Sequence, residues 1–278
     1  MLSYRHGFHA GNHADVLKHV CLINCYKILK RMHNSINYID THSGNGLYFY
    51  NNEFMAKNKE YIYGIEKLIK SNTNNSLINH YLKTIKNINK SKKLSLYPGS
   101  PMIMSHLSNN NDKLFFYELH NNEIKTLKKN LSNYTNLKIY HTNGFNFYKK
   151  KINFRNKYLV LIDPSYELDS DYIEVINFLK IIDERFKNFT ILIWYPIIAI
   201  DNHKIFIEKI KKLALSNLIR IELPIENYTE EIGLKGSGIF LVNSNKKIIS
   251  NLKNTVYELY EHLKNKSCKI KPVFQYLK

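Results

Sequence analysis

Short apolar runs alternate with longer amphipathic stretches over the C-terminal two thirds of this chain. Several of the runs are apolar along almost their whole length, as expected for strands that are covered on both faces. The predicted strands are Asn37–Asp40, Lys113–Leu119, Leu137–His141, Tyr158–Asp163, Phe189–Tyr195, Leu218–Leu223 and Gly238–Asn243. Helices are predicted near residues 100–109, 121–133, 170–187, 202–216 and 250–265. The alternation therefore predicts an α/β fold with an open, mostly parallel, doubly wound sheet of about seven strands.

Two parts of the chain do not follow this alternation, and they set the predicted domain boundaries. Residues 1–36 hold an N-terminal motif and a helix that runs to about Met32, with Asn12 as its N-cap and Asp15 as a weak capping-box partner. Residues 48–97 are polar, rich in Lys and Asn, and helical in their periodicity. We therefore predict a main domain of residues 1–47 and 98–278, interrupted by an inserted small helical subdomain of residues 48–97.

The charge balance favours a polyanionic partner. The 278-residue chain carries 41 Lys and Arg against 23 Asp and Glu, which gives a formal net charge of +18. Basic groups that meet phosphates release counterions, so this excess favours RNA or DNA binding. A basic surface without a partner is the alternative, because the abundance of Asn, Ile, Tyr and Lys is also what A+T-biased coding produces.

Cysteine usage and hydropathy predict a reduced, soluble protein of the cytoplasm. Cys21, Cys25 and Cys268 do not have the pattern of a disulfide framework. No signal peptide is recognised, and no apolar run approaches the roughly 20 residues that cross a bilayer, so no membrane contact is expected. The i, i+4 spacing of Cys21 and Cys25 raises the question of a metal site. Both lie on the apolar side of the predicted helix, however, and no metal is expected.

In doubly wound sheets ligands bind beyond the carboxyl ends of the strands, so the residues that follow each strand are site candidates. Gly44 and Gly46 follow the first strand, where they form either a ligand loop or a simple tight turn. A third glycine of the dinucleotide fingerprint would stand at Phe49, which disfavours a dehydrogenase. Glu118 can accept hydrogen bonds from a ribose, unless it only caps the next helix. Asn143 can bind the edge of a purine, although Asn-Gly is also a common turn pair.

The fourth strand ends in Asp163-Pro164-Ser165-Tyr166. One ligand, S-adenosylmethionine lying across the strand tips, reconciles this tetrapeptide with the glycines, the acid and the amide of the other strands. The Asp163 carboxylate and the Pro164 carbonyl can accept the two N–H groups of an exocyclic amine and point its lone pair at a methyl group. Tyr166 offers a face for a flipped-out base, worth about 1–3 kcal/mol.

Eight segments, in order along nearly the whole chain, resemble a known family. They are "MLSYRHGFHAGNHADVLKH" (1–19), "DTHSGNG" (40–46), "YPGSP" (97–101), "ELH" (118–120), "NGF" (143–145), "IDPSYE" (162–167), "WYP" (194–196) and "GSG" (236–238). They are similar to segments of the RlmJ family, the bacterial 23S ribosomal RNA adenine-N6 methyltransferases. The first segment is long and highly specific. The resemblance implies a Rossmann-like class I S-adenosylmethionine-dependent methyltransferase with an inserted helical subdomain. It also implies action without a metal on one adenine, of the adenine 2030 type, in protein-free 23S rRNA.

The resemblance also implies roles for individual residues. The implied cosubstrate contacts are Lys18, His19, His42, Ser100, Glu118, Asn143, Gly144 and Asp163. Asp163, Pro164 and Tyr166 are the implied catalytic residues, and Tyr4, His6 and Tyr166 are implied to contact the RNA. The implied partner is 23S rRNA; no obligate protein partner is implied, and a monomer is expected.

Two of the quoted segments also have ordinary structural explanations. Ser100 is by default a helix N-cap with Pro101 at the first helical position, a role that is compatible with binding a carboxylate. Trp194, the sole tryptophan of the chain, is predicted to pack in the core at the end of a strand rather than to form a second stacking platform.

Two positions depart from the family pattern. Ser165 stands where the family has the second proline of D-P-P-Y, and Asn143 stands where it has Asp. The Pro164 carbonyl is retained, and Asn143 can still accept a hydrogen bond, although without charge. Three functions are therefore weighed: a 23S rRNA adenine methyltransferase, a DNA adenine-N6 methyltransferase, and a catalytically weakened RNA-binding protein of the same fold.

Overall fold

The computed structural model describes residues 6–90, 94–149, 152–181, 186–198, 202–213, 215, 217–228 and 233–277. The strands in this part of the chain are β1 (Asn37–Asp40), β2 (Leu47–Phe49), β3 (Leu96–Pro98), β4 (Lys113–Tyr117), β5 (Leu137–Tyr140), β6 (Tyr158–Ile162), β7 (Phe189–Ile198), β8 (Ile219–Pro224), β9 (Leu234–Val242) and β10 (Val273–Tyr276). The helices are α1 (His13–Met32), α2 (Glu53–Asn58), α3 (Ile65–Ile69), α4 (Ser76–Asn89), α5 (Ser100–Leu107), α6 (Asn121–Asn130), α7 (Asp169–Lys180), α8 (Asn202–Lys211) and α9 (Lys246–Leu263).

The main sheet has the order β10-β8-β9-β7-β6-β1-β4-β5. Neighbours from β5 to β7 pair in parallel, whereas β9 pairs antiparallel with both β7 and β8, and β10 pairs antiparallel with β8. Every predicted strand is present. The predicted α/β class with a mostly parallel sheet is therefore confirmed.

The eighth strand of this sheet, β10, is not among the predicted strands. Its sequence Val-Phe-Gln-Tyr follows Lys271-Pro272, and all four of its residues are at least partly exposed. It pairs on one side only, at the edge of the sheet beside β8. A short edge strand need not be apolar on both faces, so it lacks the continuous apolar run by which the other strands were recognised.

Helix α1 is more deeply buried than a surface helix. Every residue from His13 to Tyr26 is buried, because the helix lies between the sheet and helices α4 and α9. Asn12 caps it as predicted, with Oδ1 accepting hydrogen bonds from the backbone N–H groups of Ala14 and Asp15. The predicted capping box is wrong, because the Asp15 carboxylate accepts from Gly11 N–H at 2.9 Å rather than from Asn12.

The two ends of the segment between β1 and α5 lie side by side. Strands β2 and β3, which lie near its two ends, pair antiparallel and bring Leu47 opposite Pro98. The side chains of Ile65, Ile78 and Tyr81 belong to the same apolar cluster as the side chains of α1. This segment therefore packs on the core of the main sheet. The division into a main domain and an inserted subdomain stays a prediction.

The core lies on both faces of the sheet, and β6 shows why. Leu159 and Leu161 belong to one apolar cluster, whereas Val160 and Ile162 belong to the other. Side chains alternate between the two faces of a strand, so a continuous apolar run fills both layers. Strand β1 lies between β4 and β6 and pairs in parallel with both. On one side of β1 the strand order continues with β4 and β5, and on the other side with β6 and β7. The direction of the strand order therefore reverses at β1, and its carboxyl end is the switch point where such sheets bind ligands.

Candidate active site

A cavity of about 300 Å³ opens at the switch point. Among the residues that line it are all eight predicted cosubstrate contacts: Lys18, His19, His42, Ser100, Glu118, Asn143, Gly144 and Asp163. They come from α1, from the start of α5 and from the loops after β1, β4, β5 and β6. The parallel strands bring these separate segments to one edge of the sheet. The structure places all eight residues together, while the role of each in binding stays a prediction. We call this cavity the first cavity.

The loop after β1 is held by the acid after β4. Gly44 and Gly46 have φ values of +58° and +72°, which glycine adopts without strain. The N–H of Gly44 donates to Glu118 Oε2 at 2.7 Å, and the N–H of His120 donates to Oε1 at 2.7 Å. The alternative role of Glu118 as the cap of α6 is wrong, because the N-cap is His120, whose Nδ1 accepts from the N–H of Asn122. Glu118 instead joins the loop after β1 to the loop after β4. Because each carboxylate oxygen has a second acceptor position, the same side chain can still accept from a ligand hydroxyl.

Asn143 and Gly144 bring the loop after β5 close to the end of β1. Asn143 Oδ1 accepts from the N–H of Phe145 at 2.8 Å, so the predicted turn is present. A Cβ atom on Gly144 would lie 2.1 Å from the carbonyl oxygen of Thr41. Glycine is therefore required here by the close approach of two backbones. The second lone pair of the Asn143 carbonyl remains available to a ligand.

Asp40 is a residue of this site that was not predicted. Its buried carboxylate accepts hydrogen bonds from Ser100 Oγ at 2.7 Å and from Tyr38 Oη at 2.9 Å, and from the N–H of His42 at 3.3 Å. Burial raises the pKa of Asp40 to about 6. The available signal was an acid at the last position of a buried strand. Ser100 is the first residue of α5, and the N-cap is Gly99, so the expected capping role of Ser100 is wrong. The Ser100 hydroxyl donates to Asp40 instead.

Two of the histidines that line the first cavity, His19 and His42, are held neutral. Burial lowers the pKa of His19 to about 3 and that of His42 to about 4. His19 Nδ1 lies 2.7 Å from the hydroxyl of Tyr97. Its other ring nitrogen, Nε2, is buried and has no hydrogen-bond partner among the residues that the structure describes. A buried polar atom of this kind normally has a partner, which a bound ligand can supply.

Lys18 joins α1 to the loop after β6. Its Nζ lies 2.7 Å from Asp15 Oδ1 and 2.6 Å from Asp163 Oδ2. Burial opposes the charge of Lys18, but the two carboxylates together raise its pKa above the ordinary value. Burial likewise opposes ionisation of Asp15, yet the charges of His6 and Lys18 hold its pKa well below the ordinary value. His6 Nε2 lies 3.0 Å from Asp15 Oδ2, which ties the N-terminal segment to this group.

Side chains of the tetrapeptide after β6 form hydrogen bonds to neighbouring elements. Tyr166 has a φ of +55°, an unusual conformation for a residue with a side chain, and such strain often marks functional sites. Its hydroxyl donates to the carbonyl oxygen of Trp194 at 2.7 Å. Ser165 Oγ donates to Asp171 Oδ2, in the first turn of α7, at 3.3 Å. Pro164 is buried between Asp163 and Ser165.

A second cavity, of about 470 Å³, lies on the other side of this tetrapeptide. His6, Lys18, Asp163 and Ser165 line both cavities. Tyr166 and Trp194 line the second cavity and not the first. Trp194 also packs against both apolar clusters, so its predicted core packing is confirmed. The structure thus brings His6 and Tyr166, two predicted RNA contacts, to this side. The third, Tyr4, lies outside the described residues.

The described part of the chain contains no candidate cluster of metal ligands and no candidate membrane-spanning helix. Within it, no group of three or more His, Cys, Asp or Glu side chains is placed to hold a metal ion. None of its helices is both long and apolar enough to span a bilayer. Cys21, Cys25 and Cys268 are free and buried, and the first two pack in the apolar cluster around α1 as predicted.

A mostly parallel sheet with a cavity at its switch point, together with an Asp-Pro-Ser-Tyr loop between two cavities, defines a Rossmann-like methyltransferase. Residues 33–273 match the family described as "Ribosomal RNA large subunit methyltransferase D, RlmJ", and the chain belongs to this RlmJ family. A Haemophilus influenzae protein named Ribosomal RNA large subunit methyltransferase J is 36% identical over 248 residues, 87% of each chain. An Escherichia coli protein of the same name is 31% identical over 264 residues, covering 95% of this chain and 94% of the relative.

A solved structure agrees with this assignment. The crystal structure of protein LPL1258 from Legionella pneumophila matches with a TM-score of 0.85 and 29% identity, over 96% of this chain and 98% of that one. The resemblance to the RlmJ family and the Rossmann-like methyltransferase fold predicted from it are therefore confirmed. Of the three functions weighed from the sequence, the ribosomal RNA methyltransferase is the one that the family supports.

Proposed function

We propose that this protein transfers a methyl group from S-adenosylmethionine to the N6 amine of a single adenine, of the adenine 2030 type, in protein-free 23S rRNA. The observation that carries the proposal is the position of Asp163. It lies on the wall that the two cavities share, beside all the other predicted cosubstrate residues. A cosubstrate in the first cavity and a flipped-out base in the second would meet at this carboxylate.

The residues of the first cavity fit S-adenosylmethionine. The partnerless Nε2 of His19 matches the polar methionine end of that molecule. Glu118 offers oxygens to ribose hydroxyls, and Asn143 offers an amide to the adenine edge. When bound, S-adenosylmethionine supplies an electrophilic methyl group on its sulfonium sulfur.

The chain's own residues would prepare the amine in the second cavity. The lone pair of an adenine amine is delocalised into the ring, which makes it a poor nucleophile. Lys18 binds Asp163 Oδ2, which leaves Oδ1 to accept one N–H of the amine, while the Pro164 carbonyl accepts the other. These two acceptors orient the lone pair towards the first cavity and stabilise positive charge as it develops on nitrogen. The proton that the amine loses passes to the Asp163 carboxylate or to water.

Ligand binding and methyl transfer test the proposal separately. Isothermal titration should detect S-adenosylmethionine binding and no NAD binding; the reverse result would exclude the methyltransferase mechanism. Labelled methyl should enter protein-free 23S rRNA and not duplex DNA. Incorporation into DNA alone would favour the DNA adenine methyltransferase, and binding of RNA without transfer would favour the weakened protein.

The position of the methyl group is best tested in cells. Mass mapping of 23S rRNA with and without this protein should show one N6-methyladenine that depends on it. We further propose that the protein acts as a monomer, without an obligate protein partner, in the cytoplasm where bacterial rRNA is found. Light scattering of the purified protein at working concentration tests the monomer.

A further inference from the structure

Trp194 lies within β7, which continues past the end of β6, and takes a position beside Asp163. Strands β6 and β7 pair in parallel, with Ile162 opposite Ile193. One residue further along both strands, Asp163 and Trp194 follow as neighbours. Trp194 is partly exposed, and it lines the second cavity together with Asp163 and Tyr166.

The indole ring is held among groups already placed at this site. Its centroid lies 5.9 Å from that of Tyr166, at an interplanar angle of 53°. The Nζ of Lys18 lies 6.0 Å from the same ring. The Tyr166 hydroxyl donates to the backbone carbonyl of Trp194 at 2.7 Å. The ring therefore has a defined position relative to the tetrapeptide, as a surface for recognising a flat ligand must have.

The indole ring packs against both apolar clusters, but its nitrogen lacks the partner that a core tryptophan normally has. Nε1 is shielded from solvent and has no hydrogen-bond acceptor among the described residues. A tryptophan N–H in a core normally has a partner, and leaving it unpaired is unfavourable. A purine ring in the adjacent cavity carries nitrogen acceptors and a flat apolar face.

We propose that Trp194 forms a wall of the pocket for the acceptor adenine and contacts the base when it enters the second cavity. This inference rests on the proposed function. Together with Tyr166 it would confine the base, while Asp163 and the Pro164 carbonyl hold its amine. Aromatic contacts of this kind tolerate any base, so the hydrogen bonds to the amine would select adenine and the ring would set affinity and position.

The sole tryptophan makes the contact directly measurable. Adenosine monophosphate, titrated into the wild-type protein, should change the tryptophan fluorescence with a saturable curve. S-Adenosylmethionine alone, bound in the first cavity, should change it by much less. No saturable change with the nucleotide would overturn the inference, and this measurement needs no variant.

Two variants test whether the aromatic face of Trp194 matters or only the bulk of its side chain. Trp194→Leu should lower kcat/KM for 23S rRNA about tenfold, mainly through KM, with the affinity for S-adenosylmethionine unchanged. Trp194→Phe keeps an aromatic face and should lose about threefold or less. A wild-type kcat/KM in Trp194→Leu would overturn the inference. If the wild-type protein methylates no RNA, the proposed function fails, and the fluorescence titration still decides whether the pocket accepts an adenine nucleotide.

Discussion

Lys18 Nζ lies 2.6 Å from Asp163 Oδ2, on the wall shared by the two cavities. The same Nζ lies 2.7 Å from Asp15 Oδ1, so one ammonium group joins two carboxylates that are 148 positions apart in the chain. An ion pair of this kind fixes where the Asp163 carboxylate points.

Asp163→Asn should lower the rate of methyl transfer to 23S rRNA at least about 100-fold, because a neutral amide stabilises the developing cation less than a carboxylate does. Asp163→Ala should abolish it. The protein should stay folded in both variants, since Lys18 keeps its pairing with Asp15. Labelled-methyl incorporation measures the rate of transfer, and circular dichroism shows whether the variants are folded. Full activity in Asp163→Ala would refute the assigned role.

Lys18→Met should lower the free energy of unfolding by about 3 kcal/mol at neutral pH, because it leaves the buried Asp15 carboxylate without its lysine partner. Adding Asp15→Asn to this variant should recover part of the loss, since the uncompensated charge is removed. Urea denaturation measures the free energy of unfolding of both variants. Lys264→Met, on the surface pair with Glu261, is the control and should have no measurable effect. Equal stability of Lys18→Met and wild type would contradict the prediction.

Ser165→Pro should leave turnover unchanged or improve it, because it restores the D-P-P-Y sequence and retains the Pro164 carbonyl. The hydroxyl that it removes makes one hydrogen bond of 3.3 Å to Asp171, which is worth about 1 kcal/mol at most. Ser165→Ala is the matched control, since it removes the same hydroxyl without adding a ring. A large loss of kcat in both variants would show that the bond to Asp171 positions the loop.

His19 should make the protein less stable in acid. Burial lowers its pKa from 6.5 to about 3, so below pH 6.5 the unfolded chain binds a proton that the folded chain does not. The free energy of unfolding therefore falls as the pH falls, by about 1–2 kcal/mol between pH 7 and pH 5 from this residue. Denaturation of His19→Gln at both values should show a shallower pH dependence than wild type. The same dependence in both proteins would contradict the assignment.

The order of the secondary structure was readable from the sequence because it depends on local chemistry. Leu159, Val160 and Leu161 form a continuous apolar run, as expected for a strand buried on both faces. Asn12 caps α1 because its side chain reaches the N–H groups of the next residues. Strand β10 was missed because its pairing with β8 is tertiary and leaves no apolar run in its sequence.

The predicted cosubstrate residues could be proposed from the sequence because each follows a strand or stands in a segment typical of the family. Asp40, by contrast, was missed as a member of the site, since its partner Ser100 is 60 positions away. Trp194 packs in the core as predicted, but its place in the wall of the second cavity could not be read from the sequence, because nothing local tells a packed indole from one that also lines a cavity.

The sequence by itself determined the α/β fold, the family and the residues that gather at the strand ends, since periodicity and short motifs record local constraints. Only the tertiary structure decided that Lys18 and Asp15 support Asp163, and that a second cavity meets the first at this carboxylate. Those relationships join α1 to the loop after β6. Packing between distant elements creates such contacts, and no stretch of sequence encodes them alone.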